Sequence, residues 1–308
     1  MEIALQFVLL ALGFVMLGKG ADWFVEGAAG IAMRFGIPQL VIGLTIVAMG
    51  TSAPEAAVSI AAAVKGNADI TIGNIVGSNI LNILVILGLA ASIVPIAVAR
   101  STVRIEIPFM IGVTALLFYQ GRDGSISLAD GGVLMVAFAA YMMYLYTMAM
   151  KSNVNSDLEE PGLPLGRCLL GAVGGLALII VGSNVTVGAA TSIATYAGLS
   201  ERFIGLTIVA LGTSLPELFT SVAAARRGNA DIAIGNIVGS NIFNILFVVG
   251  LSSLIIDIPF ASAFNFDTYV ALGAAVLLWL CVLRTQRLQR WAGALMLVCY
   301  AAYLGYIL

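Results

Sequence analysis

The chain has 308 residues, 61% of them hydrophobic and only 10% charged, against roughly a quarter charged in an ordinary soluble domain. Its net charge of −2 and its lack of histidine exclude a basic footprint for nucleic acid, HExxH zinc sites and Ser-His or Cys-His catalytic pairs. So apolar a chain cannot clothe a soluble surface, which rules out a cytosolic enzyme or a disordered protein and leaves a polytopic membrane protein.

Crossing a bilayer takes about 20 apolar residues. Ten such runs are present, near 3–31, 38–64, 71–96, 105–119, 130–149, 165–195, 202–225, 233–256, 267–283 and 290–308. Only Met1 and Glu2 precede the first run, with no Lys or Arg. That is a poor signal peptide, so the run is expected to be a mature span. The most polar stretch, 150–164 (MKSNVNSDLEEPGLP), is the expected linker between a first half, 1–149, and a second half, 165–308. Cys168, Cys281 and Cys299 are scattered in apolar runs and form no disulfide framework.

Basic residues orient the spans. Loops on the N-terminal side carry Lys65, Arg122 and Arg202. The opposite loops carry Arg34, Arg100, Arg104, Lys151, Arg167, Arg226, Arg227, Arg284, Arg287 and Arg290. Ten against three places the richer side in the cytoplasm and both termini outside.

The two halves repeat each other at an offset of 162: residues 42–89 align with 204–251, and 35 of these 48 positions are identical. An odd number of spans per half means that the second copy enters the membrane in the opposite direction. The architecture expected is therefore all-α: ten transmembrane helices in two inverted five-helix repeats. Inverted repeats place a binding site at their interface near the bilayer midplane.

The most similar segments are also the most polar ones inside the membrane. Gly50-Thr-Ser-Ala-Pro-Glu55 and Gly212-Thr-Ser-Leu-Pro-Glu217 each lie within an apolar run. Pro54 and Pro216 lack an N–H, so the carbonyls of Gly50 and Gly212 lose their helical partners and helices 2 and 7 should break there. Irregular backbone at this depth survives only where it lines a cavity or is buried in protein. Thr51 and Glu55, like Thr213 and Glu217, are four apart and share a face wherever the helix continues.

A carboxylate in the bilayer centre costs about 2.5–3.5 kcal/mol on insertion scales, and two converging carboxylates repel. A bound cation removes both penalties. Carboxylates, hydroxyls and carbonyls are hard oxygen donors that suit Ca²⁺ or Na⁺. In the second motif, Asn74, Ser78 and Asn82 step by four and form a polar stripe, as do Asn236, Ser240 and Asn244. Ser78, Asn82, Ser240 and Asn244 are read as ligands. For Asn74, Asn79, Asn236 and Asn241, ligation and helix–helix hydrogen bonding both fit. Lys19, Asp22 and Glu26, near the end of the first run, read as a structural ion-pair cluster or as the mouth of a pathway.

The paired GTSxPE and GNxxGSNxxN segments resemble the two alpha-repeats of the cation/calcium exchanger superfamily, and most closely its prokaryotic sodium/calcium exchanger branch. The resemblance spans nearly the whole chain. It implies exchange of about three Na⁺ for one Ca²⁺ by alternating access, with a gate of helices 1 and 6 sliding over a core of the other eight. It implies a central Ca²⁺ site at Glu55, Glu217, Thr51 and Thr213. It also implies flanking Na⁺ sites at Ser52, Ser78, Ser214, Ser240 and the carbonyls of Ala48 and Ala210, with Asn82 and Asn244 at the middle position.

Some members, including potassium-dependent ones, carry Asp where Asn244 stands, so the asparagine argues against potassium co-transport. Two formal negative charges remain, which one Ca²⁺ neutralises and three Na⁺ exceed by one, so exchange should be electrogenic. The GNxxE-type motif of proton-coupled members is absent, and a linker of about 15 residues leaves no room for a regulatory insert.

The expected protein is thus an inner-membrane antiporter of a prokaryotic cell that extrudes Ca²⁺ against Na⁺ and works as a monomer in the bilayer. Its partners are the two ions and lipid, without cofactor or nucleic acid. Proton-coupled exchange of Ca²⁺ or another divalent cation is the alternative, followed by a cation channel. An intramembrane hydrolase is remote, since no His or Cys stands near the glutamates.

Overall fold

The computed structural model describes residues 2–152, 164–198 and 210–307. In the first half, α1 spans Glu2–Arg34, α2 Gln39–Thr51, α3 Ala53–Val64, α4 Ile70–Ile93, α5 Thr102–Asp123 and α6 Leu128–Lys151. In the second, α7 spans Leu165–Tyr196, α8 Ala210–Thr213, α9 Leu215–Arg226, α10 Ala230–Ile255, α11 Phe264–Leu283 and α12 Arg290–Ile307.

Among the described residues, eight helices are long and apolar enough to cross a bilayer, and α2 with α3 make one further span bent by 51°. The expected run 202–225 begins outside the described residues, which enter it at Ala210. Most of the expected linker 150–164 lies outside them as well.

The layering follows from polarity. The apolar windows of α10 and α4 are 94% and 78% buried, against 17% for α1, α6 and α12. Helices α4 and α10 carry the Asn/Ser stripes, whose polar groups cannot face lipid. The outer helices present large apolar side chains such as Leu5, Val136 and Leu170 on the outside, where hydrocarbon accepts them.

The long helices α1 and α7 pack along each other in backbone contact through a seam of glycines. A methyl group at Gly20 would lie 2.9 Å from the Gly175 carbonyl oxygen, and one at Gly182 would lie 3.1 Å from that of Gly13. The offset of 162 carries Gly13 to Gly175 and Gly20 to Gly182, so the two contacts are one contact repeated. Small residues let membrane helices approach where no hydrophobic effect drives them together.

Two short antiparallel ribbons tie the halves together. Ile96–Ala97 pairs with Arg287–Leu288, with Ile96 opposite Leu288. Ser125–Ile126 pairs with Ile258–Pro259, with Ile126 opposite Ile258. Adding the offset to Ile96 and Ile126 gives Ile258 and Leu288, so the second ribbon is the first with the halves exchanged. No periodicity in two-residue strands announces these ribbons.

The glycine seam makes a local prediction. Gly175→Ala, whose methyl would sit 2.4 Å from the Phe24 nitrogen, should lower stability by about 1–3 kcal/mol. Gly174→Ala on the same helix, with nothing within 4 Å, should fall within about 0.5 kcal/mol of the parent. Thermal unfolding of both variants in detergent checks the contrast.

Candidate cation site

The proline motifs break the helix, and the break falls one step earlier than the spacing suggests. Ser52, at φ −82° and ψ 6°, separates α2 from α3, and Ser214, at φ −90° and ψ 3°, separates α8 from α9. Each proline stands in the first turn of the downstream helix, where its missing N–H costs nothing. The break therefore lies between Thr51 and Glu55, which do not share one continuous helix face as the four-residue spacing predicts.

Glu55 and Glu217 begin the new helices, where the N-terminal end of the backbone dipole favours negative charge. Pro216 leaves the Gly212 carbonyl without a helical donor, and the Ser183 hydroxyl donates to it at 2.7 Å. The equivalent of Ser183 in the first half is Ala21, which has no donor, so the two breaks are supported differently.

Both carboxylates are buried, and each is met by the other half of the chain. Ser52 Oγ donates to Glu217 Oε1 at 2.8 Å, and Ser214 Oγ lies 3.5 Å from Glu55 Oε1. A serine in this position usually accepts from the first turn of its own helix; here neither serine does. Thr213 stands beside the Glu55 carboxylate and Thr51 beside that of Glu217. Thr51 also lies 3.0 Å from Asn236 Oδ1 and 3.1 Å from the Val47 carbonyl oxygen.

The second motif closes the site. A π turn begins at Asn82 (Asn82–Leu87) and another at Asn244 (Asn244–Val249), again at matched positions. Such bulges recur at functional sites. The turn at Asn82 packs against α9 and the turn at Asn244 against α3, so each turn lies against the helix that carries the glutamate of the other half.

Twelve buried side-chain oxygens lack a hydrogen bond among the described residues, and four of them belong to the two motifs: Glu55 Oε2, Glu217 Oε2, Asn82 Oδ1 and Asn244 Oδ1. They form two pairs related by the offset. An orphaned buried acceptor costs about 1–3 kcal/mol, and more when charged, unless a cation meets it.

The remaining residues divide. Ser78 and Ser240 are buried, and Ser240 Oγ donates to the Ala48 carbonyl at 3.3 Å. The backbone of Ala210 opens α8, and its side chain lies outside the described residues. Asn74 and Asn236 are tied to the protein: their amides reach the Glu55 and Glu217 carbonyls at 3.3 and 3.4 Å and the hydroxyls of Ser59 and Ser221 at 2.9 Å. Asn79 and Asn241 likewise bond across the halves.

Ser59 and Ser221 were not singled out from sequence, although both lie four residues after a motif glutamate and recur at the offset. Nor was Glu106, a third buried carboxyl, on α5, whose partner is the Tyr144 hydroxyl rather than a motif residue. A glutamate inside an apolar run was the signal. Among the described residues no cluster of three His, Cys, Asp or Glu could hold a metal.

Two cavities lie beside the long helices α1 and α7, and one of them reaches the breaks. One of about 510 Å³ lies between α3 and α7 and reaches Pro54, Gly212 and Thr213. The other, about 550 Å³ between α1 and α9, contains Lys19, Asp22 and Arg227 and no motif residue. At this second end Arg227 pairs with Asp22 and Glu26, each at 3.1 Å. Asp22 and Glu26 thus find their partner in the other half of the chain rather than in Lys19. These pairs are half exposed, and each contributes at most about 1 kcal/mol.

A family model described as sodium/calcium exchanger protein matches residues 5–147 and 168–308. The chain belongs to this family. Sodium/calcium exchanger MaX1 of Methanosarcina acetivorans is 33% identical over 345 residues, covering 98% of each chain. CaxA of Alkalimonas amylolytica is 40% identical over 314 residues, again covering 98% of each. A solved structure of the sodium-calcium exchanger NCX_Mj, soaked with zero Na⁺ and Ca²⁺, superposes with a TM-score of 0.87 at 34% identity, covering 99% of this chain and 100% of that one. As a sodium/calcium exchanger family member the chain is a multi-span membrane transporter, and its broken helix and buried carboxylates sit in a fold shared with that structure.

Support of the second break can be probed directly. Ser183→Ala orphans the Gly212 carbonyl and should cost about 1–3 kcal/mol. Ser192→Ala, which removes an exposed hydroxyl bonded to the Gly188 carbonyl, should stay within about 0.5 kcal/mol. Their melting temperatures in detergent should separate accordingly.

Proposed function

We propose that the chain is an electrogenic Na⁺/Ca²⁺ antiporter that exchanges about three Na⁺ for one Ca²⁺ by alternating access and extrudes Ca²⁺ without needing K⁺. The reading is carried by the four buried, unpartnered oxygens of Glu55, Glu217, Asn82 and Asn244. Two carboxylates and two amide oxygens make a hard-oxygen site of charge −2, which suits one Ca²⁺. Thr51 and Thr213 complete the central site. Ser52, Ser78, Ser214, Ser240 and the carbonyls of Ala48 and Ala210 form the flanking Na⁺ sites.

Coupling follows from competition. The glutamates are shared, so they hold either one Ca²⁺ or sodium ions. A half-loaded site would carry uncompensated charge through the membrane, a state that costs several kcal/mol, and the sliding step is suppressed until loading is complete. Sodium at every site leaves one net positive charge over the calcium-loaded state, so a turnover moves charge.

The surrounding architecture is ten helices in two inverted halves, 1–149 and 165–308, with both termini outside a prokaryotic inner membrane and the monomer as the working unit. The exchanged ribbons and the matched breaks support the inverted repeat. The glycine seam between α1 and α7 supports their movement as one gate. The cavity at Pro54 and Thr213 opens, in this orientation, toward the outside. The Arg227 pairs lie across the cytoplasmic end.

Proteoliposomes loaded with Na⁺ and diluted into choline should take up radioactive Ca²⁺, with or without K⁺ and with a protonophore present. Uptake that ignores Na⁺ and follows a pH gradient would mean that the glutamates carry protons instead. Glu55→Gln and Glu217→Gln should each reduce Na⁺-driven uptake to background while the protein still elutes as a folded species. Wild-type-like exchange by either variant would sink the assignment.

A further inference from the structure

Asn79 and Asn241 sit at the crossing of α4 and α10, and their hydrogen bonds have a fixed direction. Asn79 Nδ2 donates to the Asn241 carbonyl at 3.2 Å, and Asn241 Nδ2 donates to the Asn79 carbonyl at 3.2 Å. A main-chain carbonyl only accepts, so each side chain must turn its nitrogen to the opposite backbone. The oxygen of each amide then faces the next asparagine. Asn241 Oδ1 accepts from Asn82 Nδ2 at 2.9 Å, and Asn79 Oδ1 accepts from Asn244 Nδ2 at 3.1 Å.

The chain of logic ends in the site. With their nitrogens committed, Asn82 and Asn244 have only Oδ1 left to present, and these are two of the four motif oxygens that are buried without a hydrogen bond. Reversing either amide would set two oxygens against each other inside the bundle and aim an N–H, which repels a cation, at the site. All four asparagines are buried, so no solvent relieves the wrong orientation.

We propose that Asn79 and Asn241 are positioning residues that set the polarity of Asn82 and Asn244, so that oxygen and never nitrogen faces the transported cation. The inference rests on the reading of Asn82 and Asn244 as ligands. It also explains why a site built on asparagine needs the arrangement twice. An aspartate offers oxygen at both ends and has no orientation to set, whereas an amide at the same place is a ligand one way round and a repellent the other. Two backbone carbonyls, which cannot reverse, serve as the references for both.

The test is equilibrium binding of radioactive Ca²⁺ to the purified full-length protein in detergent. Asn82→Ala should weaken the Kd by about tenfold, the equivalent of one lost ligand at roughly 1.4 kcal/mol. Asn241→Ala should weaken it to a similar extent. In an Asn82→Asp background, adding Asn241→Ala should change the Kd less than about twofold, because the cycle removes the orientation requirement.

Each result bears on a different step. A wild-type Kd for Asn82→Ala would overturn the ligand reading itself. A weakened Asn82→Ala with an unaffected Asn241→Ala would overturn the positioning role alone. Equal loss on Asn241→Ala in both backgrounds would assign Asn241 to helix packing and likewise overturn it. The mirror cycle, Asn79→Ala with Asn244→Asp, gives the same three outcomes should Asn241→Ala not fold.

Discussion

A carboxylate at the centre of a bilayer costs about 2.5–3.5 kcal/mol or more unless it is hydrogen-bonded or matched by a cation, and this chain buries the pair Glu55 and Glu217 at its helix breaks. Neither half satisfies its own. Ser52 serves Glu217, and Ser214 faces Glu55. The π turn at Asn82 packs against the helix of Glu217, and that at Asn244 against the helix of Glu55. This arrangement therefore exists only when the halves are docked, and the same polar groups help to specify the docking. Burial that would be a liability in a single helix becomes the reason the repeats associate in one register.

Irregular backbone is the means. Two helix breaks and two π turns place carboxylates, amides and carbonyls where a straight helix would have turned them inward on itself. Each irregularity needs support at membrane depth. The Asn74 and Asn236 amides reach the main chain at Glu55 and Glu217, and Ser183 reaches Gly212. Much of the polar content of the motifs thus holds the backbone open. A subset of the motif oxygens is left unpaired once that support is complete.

Near-symmetry makes the departures from it informative. Ser183 replaces Ala21, and Arg227 with Asp22 and Glu26 forms an ion-pair cluster whose counterpart positions hold Lys65, Asn184 and Gly188. The cavity at one end reaches the break, while its counterpart at the other holds charged side chains and stops short. An inverted repeat with identical ends would have no preference between its two faces. These substitutions are among the differences between the halves.

Composition, apolar periodicity and the internal repeat were enough to establish from sequence a helical membrane protein with two related halves, and the glutamate and proline motifs marked where its helices break. These properties are local: hydropathy and the missing proline N–H act within one segment of chain. The sequence also set Asn82 and Asn244 apart as candidate ligands by their four-residue stripe, but it left Asn79 and Asn241 undecided between ligation and helix–helix hydrogen bonding. That distinction depends on which amide nitrogen meets a main-chain carbonyl of the other half, 162 residues away. The ribbons between Ile96 and Leu288 and between Ile126 and Ile258 and the pairing of Asp22 with Arg227 were likewise decided only by docking. Hydrogen bonds are short and directional, so their partners are settled by the packing of distant helices, whereas hydropathy is summed along a single one.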